Sequence, residues 1–179
     1  MKNKTYYLTN KERQQIKKDI AGIIETCKEG VFAYVYGSFV QSKMYNQGVS
    51  CNDCHNPHTL KLRAEGNALC MTCHQSSPPK ERFASLGGKN YNTPEHHFHQ
   101  PESEGAQCVN CHMPSTTYME VDPRRDHSFS IPRPDLTDKH AIPNACNRCH
   151  TDKPASWAVT SMDEWYGKSW QARPNVADT

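Results

Sequence analysis

Eight cysteines and four histidines of this 179-residue chain fall into one repeated pattern. The copies are Cys51-Asn-Asp-Cys54-His55, Cys70-Met-Thr-Cys73-His74, Cys108-Val-Asn-Cys111-His112 and Cys146-Asn-Arg-Cys149-His150. Two thiols separated by two residues can form thioethers with the vinyl groups on one edge of a porphyrin, and the adjoining imidazole then lies beneath the ring as proximal iron ligand. The competing chemistries are a tetrahedral zinc site built from paired C-x-x-C units and a thioredoxin-like dithiol. Neither requires a histidine directly after the second cysteine, and here one follows every time. A disulfide framework would not impose this spacing four times either. The pattern therefore predicts four covalent haem c groups.

An electron-carrying haem iron is usually held on both faces, because two imidazoles keep it low-spin and its geometry then changes little on reduction. Four such irons need four distal histidines, and six remain: His58, His96, His97, His99, His127 and His140. His58 follows His55 across Pro57, which stiffens the turn and directs His58 toward a neighbouring iron. His96, His97 and His99 lie in a polar segment after Pro94. At least one of them is expected on an iron, with His99 and then His96 preferred, against the plainer reading of a solvated loop. His140 is read as surface, and Met71 and Met113 as packing residues.

The elements that must position these groups are short. Apolar residues make up 35% of the chain, about 40% with glycine, against roughly 45–50% in ordinary globular domains. Mean hydropathy is −0.88 and twelve prolines interrupt the chain. Such a composition buries too little surface to offset its ordering entropy unaided, and flat apolar cofactors would supply the difference. The motifs start at 51, 70, 108 and 146, so the steps are 19, 38 and 38 residues. Each motif is expected to lie on a brief helical turn, with loops at Ser76-Ser-Pro-Pro79, Gly87-Gly88 and Pro132-Arg-Pro134. After the last motif, Thr151-Asp152 is expected to cap a helix with Pro154 in its first turn and Trp157, Met162 and Trp165 on its apolar face. The fold class is thus mainly α and irregular, with short helices and long loops around covalent haems. A formal charge of +2 argues against nucleic acid or an acidic membrane surface as partner, and no run of eighteen apolar residues suggests a membrane span.

Residues 1–36 form a different unit, ahead of a haem domain at 37–179. Thr9-Asn-Lys-Glu12 fits a capping box, and Ile16, Ile20, Ile23, Ile24 and Cys27 continue at helical spacing. Cys27, outside every motif, reads as a small buried hydrophobe. Val31–Tyr36 reads as a buried strand. Helix, strand and Gly37-Ser38 together resemble the opening of the minimal nucleotidyltransferase fold, without the Asp-x-Asp pair that family needs for magnesium. An inactive fragment of that kind is the expectation, joined to an exported cytochrome. Eight charged residues within 1–19 leave no apolar stretch typical of a secretion signal, although c-type haem attachment takes place outside the cytoplasm.

From about residue 36 to 170 the chain resembles multihaem c-type cytochromes with paired CxxCH motifs. The resemblance rests on Tyr36-Gly-Ser-Phe-Val-Gln-Ser-Lys-Met44, Cys54-His-Asn-Pro-His58, Leu62-Arg-Ala-Glu-Gly-Asn-Ala-Leu-Cys70, His96-His-Phe-His99, Gly105-Ala-Gln-Cys-Val-Asn-Cys-His-Met-Pro114, Asp122-Pro-Arg-Arg-Asp-His-Ser-Phe129 and Pro143-Asn-Ala-Cys146. It implies that His127 is a further iron ligand, and Arg124 and Arg125 beside it could pair with haem propionates. It also implies electron transfer to and from redox proteins, in the periplasm or another extracytoplasmic compartment. The alternative within the same resemblance is an oxidoreductase of the nitrite or hydroxylamine type with one open iron, for which no catalytic residue stands out.

Overall fold

The computed structural model describes residues 34–118 and 120–172, together with Lys11, Gln14, Gln15 and Lys18. Those four positions are helical and exposed, as the amino-terminal spacing predicts. The rest of the expected amino-terminal helix, Cys27 and Val31–Ala33 lie outside the described residues.

The expected strand at 31–36 is corrected where it can be seen, because Tyr34–Val40 is a helix (α1). A lone strand leaves its backbone groups unpaired, whereas a helix satisfies them internally. The helical turn also turns Phe39 into the core, where its ring meets Tyr45 at 5.5 Å and Phe129 at 6.3 Å, both edge-on. Gly37 and Ser38 consequently sit inside a helix instead of after a strand. Ser38 Oγ accepts the His127 N–H at 3.1 Å. The resemblance to a nucleotidyltransferase opening is not supported.

Short helices follow: α2 (Lys43–Asn46), α3 (Cys51–Cys54), α4 (Asn67–Met71), α5 (Pro94–His97) and α6 (Cys108–His112). Their starts are chemically marked. The buried Ser42 accepts the Tyr45 N–H at 3.0 Å at the head of α2, Asp53 accepts the Ser50 N–H at 2.8 Å before α3, and Pro94 opens α5. A hairpin then intervenes, unforeseen in the sequence: β1 (Ser115–Tyr118) pairs antiparallel with β2 (Asp122–Arg125), Ser115 opposite Arg125 and Tyr118 opposite Asp122. Two longer helices complete the described chain, α7 (Pro134–His140) and α8 (Ala155–Tyr166), with a 3₁₀ segment at Lys168–Ala172. Pro154 is the residue before α8 and not part of its first turn, so that helix begins slightly later than the sequence suggests.

The apolar interior is small. Among the described residues the buried apolar side chains are Phe39, Phe83, Ala106, Ala158, Met162 and Trp170. Ala158 and Met162 form the inner face of α8, against which α7 packs. Trp170 closes the end, its indole N–H donating to Asp163 Oδ1 at 2.8 Å. At the head of α7, Arg133 grips the buried Asp135 with two hydrogen bonds of 2.8 Å.

That ion pair carries a pH dependence. The Arg133 hydrogen bonds outweigh burial and hold the Asp135 carboxyl below its ordinary value. A depressed native pKa means stability that is present above the unfolded value of about 3.9 and lost as pH falls through the native one. Asp135→Asn is expected to cost about 2 kcal/mol at pH 7, since it weakens one partner of a buried pair. The gap between variant and parent in thermal unfolding should shrink below about pH 3.9.

Candidate functional site

One turn of helix explains the spacing of the repeated motif. Positions i, i+3 and i+4 share a helix face, so both thiols and the imidazole point the same way. The backbone obeys this in the first, second and fourth copies, where the histidine N–H donates to the carbonyl of the first cysteine: His55 to Cys51 at 2.8 Å, His74 to Cys70 at 2.9 Å and His150 to Cys146 at 3.0 Å. The third copy is helical from Cys108 through His112. All eight motif thiols are free, as thioether formation requires.

The copies stand next to one another in chain order. Burial raises the Cys54 thiol pKa, and the nearby Cys73 adds to that effect. The neighbouring thiols of Cys70 and Cys108 shift each other, Cys70 upward and Cys108 down to about 7. Burial, then Cys146, pushes Cys111 up to about 11. Each motif thus lies close enough to the next for its thiols to be felt electrostatically.

Several imidazoles are fixed in one tautomer. Nδ1 of His55 donates to Leu60 O at 3.0 Å and Nδ1 of His112 to Ser130 O at 3.0 Å. His127 Nδ1 donates to Arg125 O at 2.9 Å, and His99 Nδ1 donates to His97 O. A proton committed to a carbonyl at Nδ1 leaves the Nε2 lone pair for a metal. Burial depresses His74 and His112, and burial followed by the charges of His112, Lys89 and His97 brings His96 down to about 4. These rings are neutral at pH 7, the form a metal binds.

Two pairs of rings face each other at a telling distance. His96 and His112 lie with centroids 6.2 Å apart and planes 2° from parallel, and His99 and His150 are also 6.2 Å apart, tilted by 39°. A metal about 2 Å from one nitrogen of each of two opposed imidazoles sets their centroids about 6 Å apart. Among the described residues no three His, Cys, Asp or Glu side chains converge on a point, as a protein-only zinc site would need. The paired free thiols and facing imidazoles are a donor set that would suit a haem. His58 is exposed on the loop after the first motif, and His127 packs edge-on against Phe129 at 5.9 Å; neither ring faces another histidine. His140 is exposed, as expected.

Helix α8 holds the segment at 96–99 in place. The Tyr166 hydroxyl donates to His96 O, and Trp165 stacks on Phe98 at 4.7 Å, 2° from parallel. Phe98 adopts a left-handed backbone (φ 53°), which turns the chain between His96 and His99. Gly105 is demanded by proximity: a Cβ there would lie 2.1 Å from Cδ2 of His99. Trp157 lies against His150 at 4.7 Å, so the aromatic residues of α8 address histidines as well as the protein core. Arg125 caps α6 through Val109 O, Asn110 Oδ1 and Met113 O, while Arg124 pairs with Asp122 at 2.6 Å. Tyr91, Tyr166, Gly105 and the carbonyls of Leu60 and Ser130 were invisible as site residues in the sequence.

A family model described as the doubled CXXCH motif matches residues 43–78. The matched stretch contains the first two motifs and supports a c-type cytochrome-like multihaem family. It carries covalent haem c binding, and hence iron, as its coarse chemical meaning. No curated protein and no solved structure matches the chain.

Asn67 joins the second and third motifs. Its Oδ1 accepts the Cys108 N–H at 2.9 Å, and its Nδ2 donates to Ala106 O at 2.8 Å and Asn92 Oδ1 at 2.7 Å. Asn67→Ala strands the Cys108 N–H and is expected to cost about 1–3 kcal/mol in thermal unfolding of the haem-loaded protein. Asn67→Asp keeps that acceptor and should fall between the two.

Proposed function

We propose that this protein is a tetrahaem electron carrier whose four c-type haems are held in series by the motifs at 51–55, 70–74, 108–112 and 146–150. The observation that carries the proposal is the pair of opposed imidazole couples, His96 with His112 and His99 with His150, each at the 6.2 Å spacing of a doubly ligated iron. On this reading the eight motif cysteines anchor the porphyrins, His55, His74, His112 and His150 are proximal, and His96 and His99 are distal to the third and fourth irons. Of the histidines that remain, His58 and His127 are the distal candidates for the first two.

When bound, each haem iron supplies a one-electron couple. The chain's own part is to fix the spacing of the sites, keep the ligating rings neutral and in one tautomer, and limit water around them. Asn67 joining the second motif to the third, and the electrostatic neighbours Cys54 with Cys73 and Cys111 with Cys146, support a single path along residues 37–179. Its donors and acceptors would be other redox proteins. Because c-type attachment is extracytoplasmic, function in the periplasm or an equivalent compartment follows from the same reading.

Pyridine haemochrome analysis with intact mass on protein from a haem-c-maturing host should give four haems, and low-temperature electron paramagnetic resonance should give only low-spin ferric signals. A high-spin population in the native protein would favour the nitrite- or hydroxylamine-type oxidoreductase, and colourless protein with eight free thiols would end the haem reading. Gly105→Ala provides a sharper check. The new methyl must displace His99, so one haem in four should become high-spin while all four remain attached.

A further inference from the structure

We propose that Tyr91 is a positioning residue shared by two iron sites, orienting His74 of the second motif and His96 opposite the third at the same time. The inference rests on the tetrahaem reading. Tyr91 meets the His74 ring at 5.9 Å and 86°, and the His96 ring at 5.1 Å and 82°. Both contacts are edge-to-face, the arrangement aromatic rings prefer. One ring perpendicular to two imidazoles restricts the rotation of both.

The segment that carries Tyr91 is anchored on each side. Lys89 N donates to Gln75 O at 3.2 Å, directly after His74. Gly88 passes so close that a Cβ would sit 2.5 Å from Ser76 O. Asn92 Oδ1 accepts from Asn67, the residue that also holds Cys108. Tyr91 is thus tied to the loop behind the second motif and to the link between the second and third. The Lys89 ammonium lies 5.6 Å above its ring. That fixed charge sits at the junction of the two sites, where a cation favours the reduced iron by making loss of an electron harder.

Two consequences distinguish this role from simple packing. The low-spin resonance of an iron between two imidazoles depends on the angle between their planes, so removing the shared ring should alter the signals of the second and third sites together. The fourth site, His99 with His150, has its own supports in Trp165 and Trp157 and should be unmoved.

The test uses the full haem-loaded protein. Tyr91→Leu should shift two of the four low-spin signals, and Tyr91→Phe, which keeps the ring, should restore them. Lys89→Gln, at an exposed position, should make the same two haems easier to oxidise by about threefold in equilibrium constant in a resonance-monitored redox titration, an effect of the size expected for a solvent-screened charge. Tyr91→Leu leaving all signals in place, or moving one alone, would overturn the proposal. So would Tyr91→Phe behaving like Tyr91→Leu, or Lys89→Gln leaving every potential unchanged. If Tyr91→Leu does not accumulate, the Lys89→Gln titration decides. Protein lacking haem would instead remove the tetrahaem reading, and this inference with it.

Discussion

A single helical turn is the constraint from which the rest follows. Two thiols and an imidazole can serve one porphyrin only if they leave the backbone on one side, and residues i, i+3 and i+4 do so with no help from distant chain. The hydrogen bond from motif histidine to first cysteine carbonyl closes that turn in the first, second and fourth copies, and the third is helical from Cys108 through His112. Because the requirement is local, it survives in a chain rich in proline and poor in apolar residues. Everything else in the described structure brings four such turns together and gives their histidines partners.

The means of doing so are polar and aromatic more than aliphatic. Asn67 pins the second motif to the third, Arg125 of the hairpin caps the third motif, and Arg148 reaches Thr116 at 3.3 Å to link the fourth motif to β1. Asn147, also in the fourth motif, donates to His150 O and Lys153 O and so ties the motif to the approach of α8. The aliphatic and aromatic core is slight beside this network. On the haem reading that is a consistent economy, since each porphyrin would bring a large apolar surface of its own and the chain need only enclose it. A small protein core and many polar staples are then two sides of one arrangement.

Burial has a second task here. Taking an imidazole out of water disfavours its charged form, and His74, His96 and His112 are all depressed for that reason first. Where a carbonyl also accepts the Nδ1 proton, as Ser130 does from His112, the remaining nitrogen is left as a lone pair with a defined direction. Stability and chemistry do not compete at these positions: the same desolvation that packs the ring keeps it able to bind a metal.

The four attachment motifs, their helical turns and the class of cofactor could be read from residue types and spacing, because each depends on neighbours at most four positions away. The surplus of histidines was legible too, and so were His96 and His99 as candidates. Their partners were not. That His96 faces His112 and His99 faces His150 depends on a left-handed residue at Phe98, on α8 gripping the segment through Tyr166 and Trp165, and on the missing side chain of Gly105, contacts that span up to seventy residues. Local preference also misled at Tyr34–Tyr36, whose β-branched and aromatic run lies in a helix that satisfies its own backbone groups. What short-range geometry can enforce was written in the sequence. What requires two distant surfaces to meet at a few ångströms was decided only by the assembled fold.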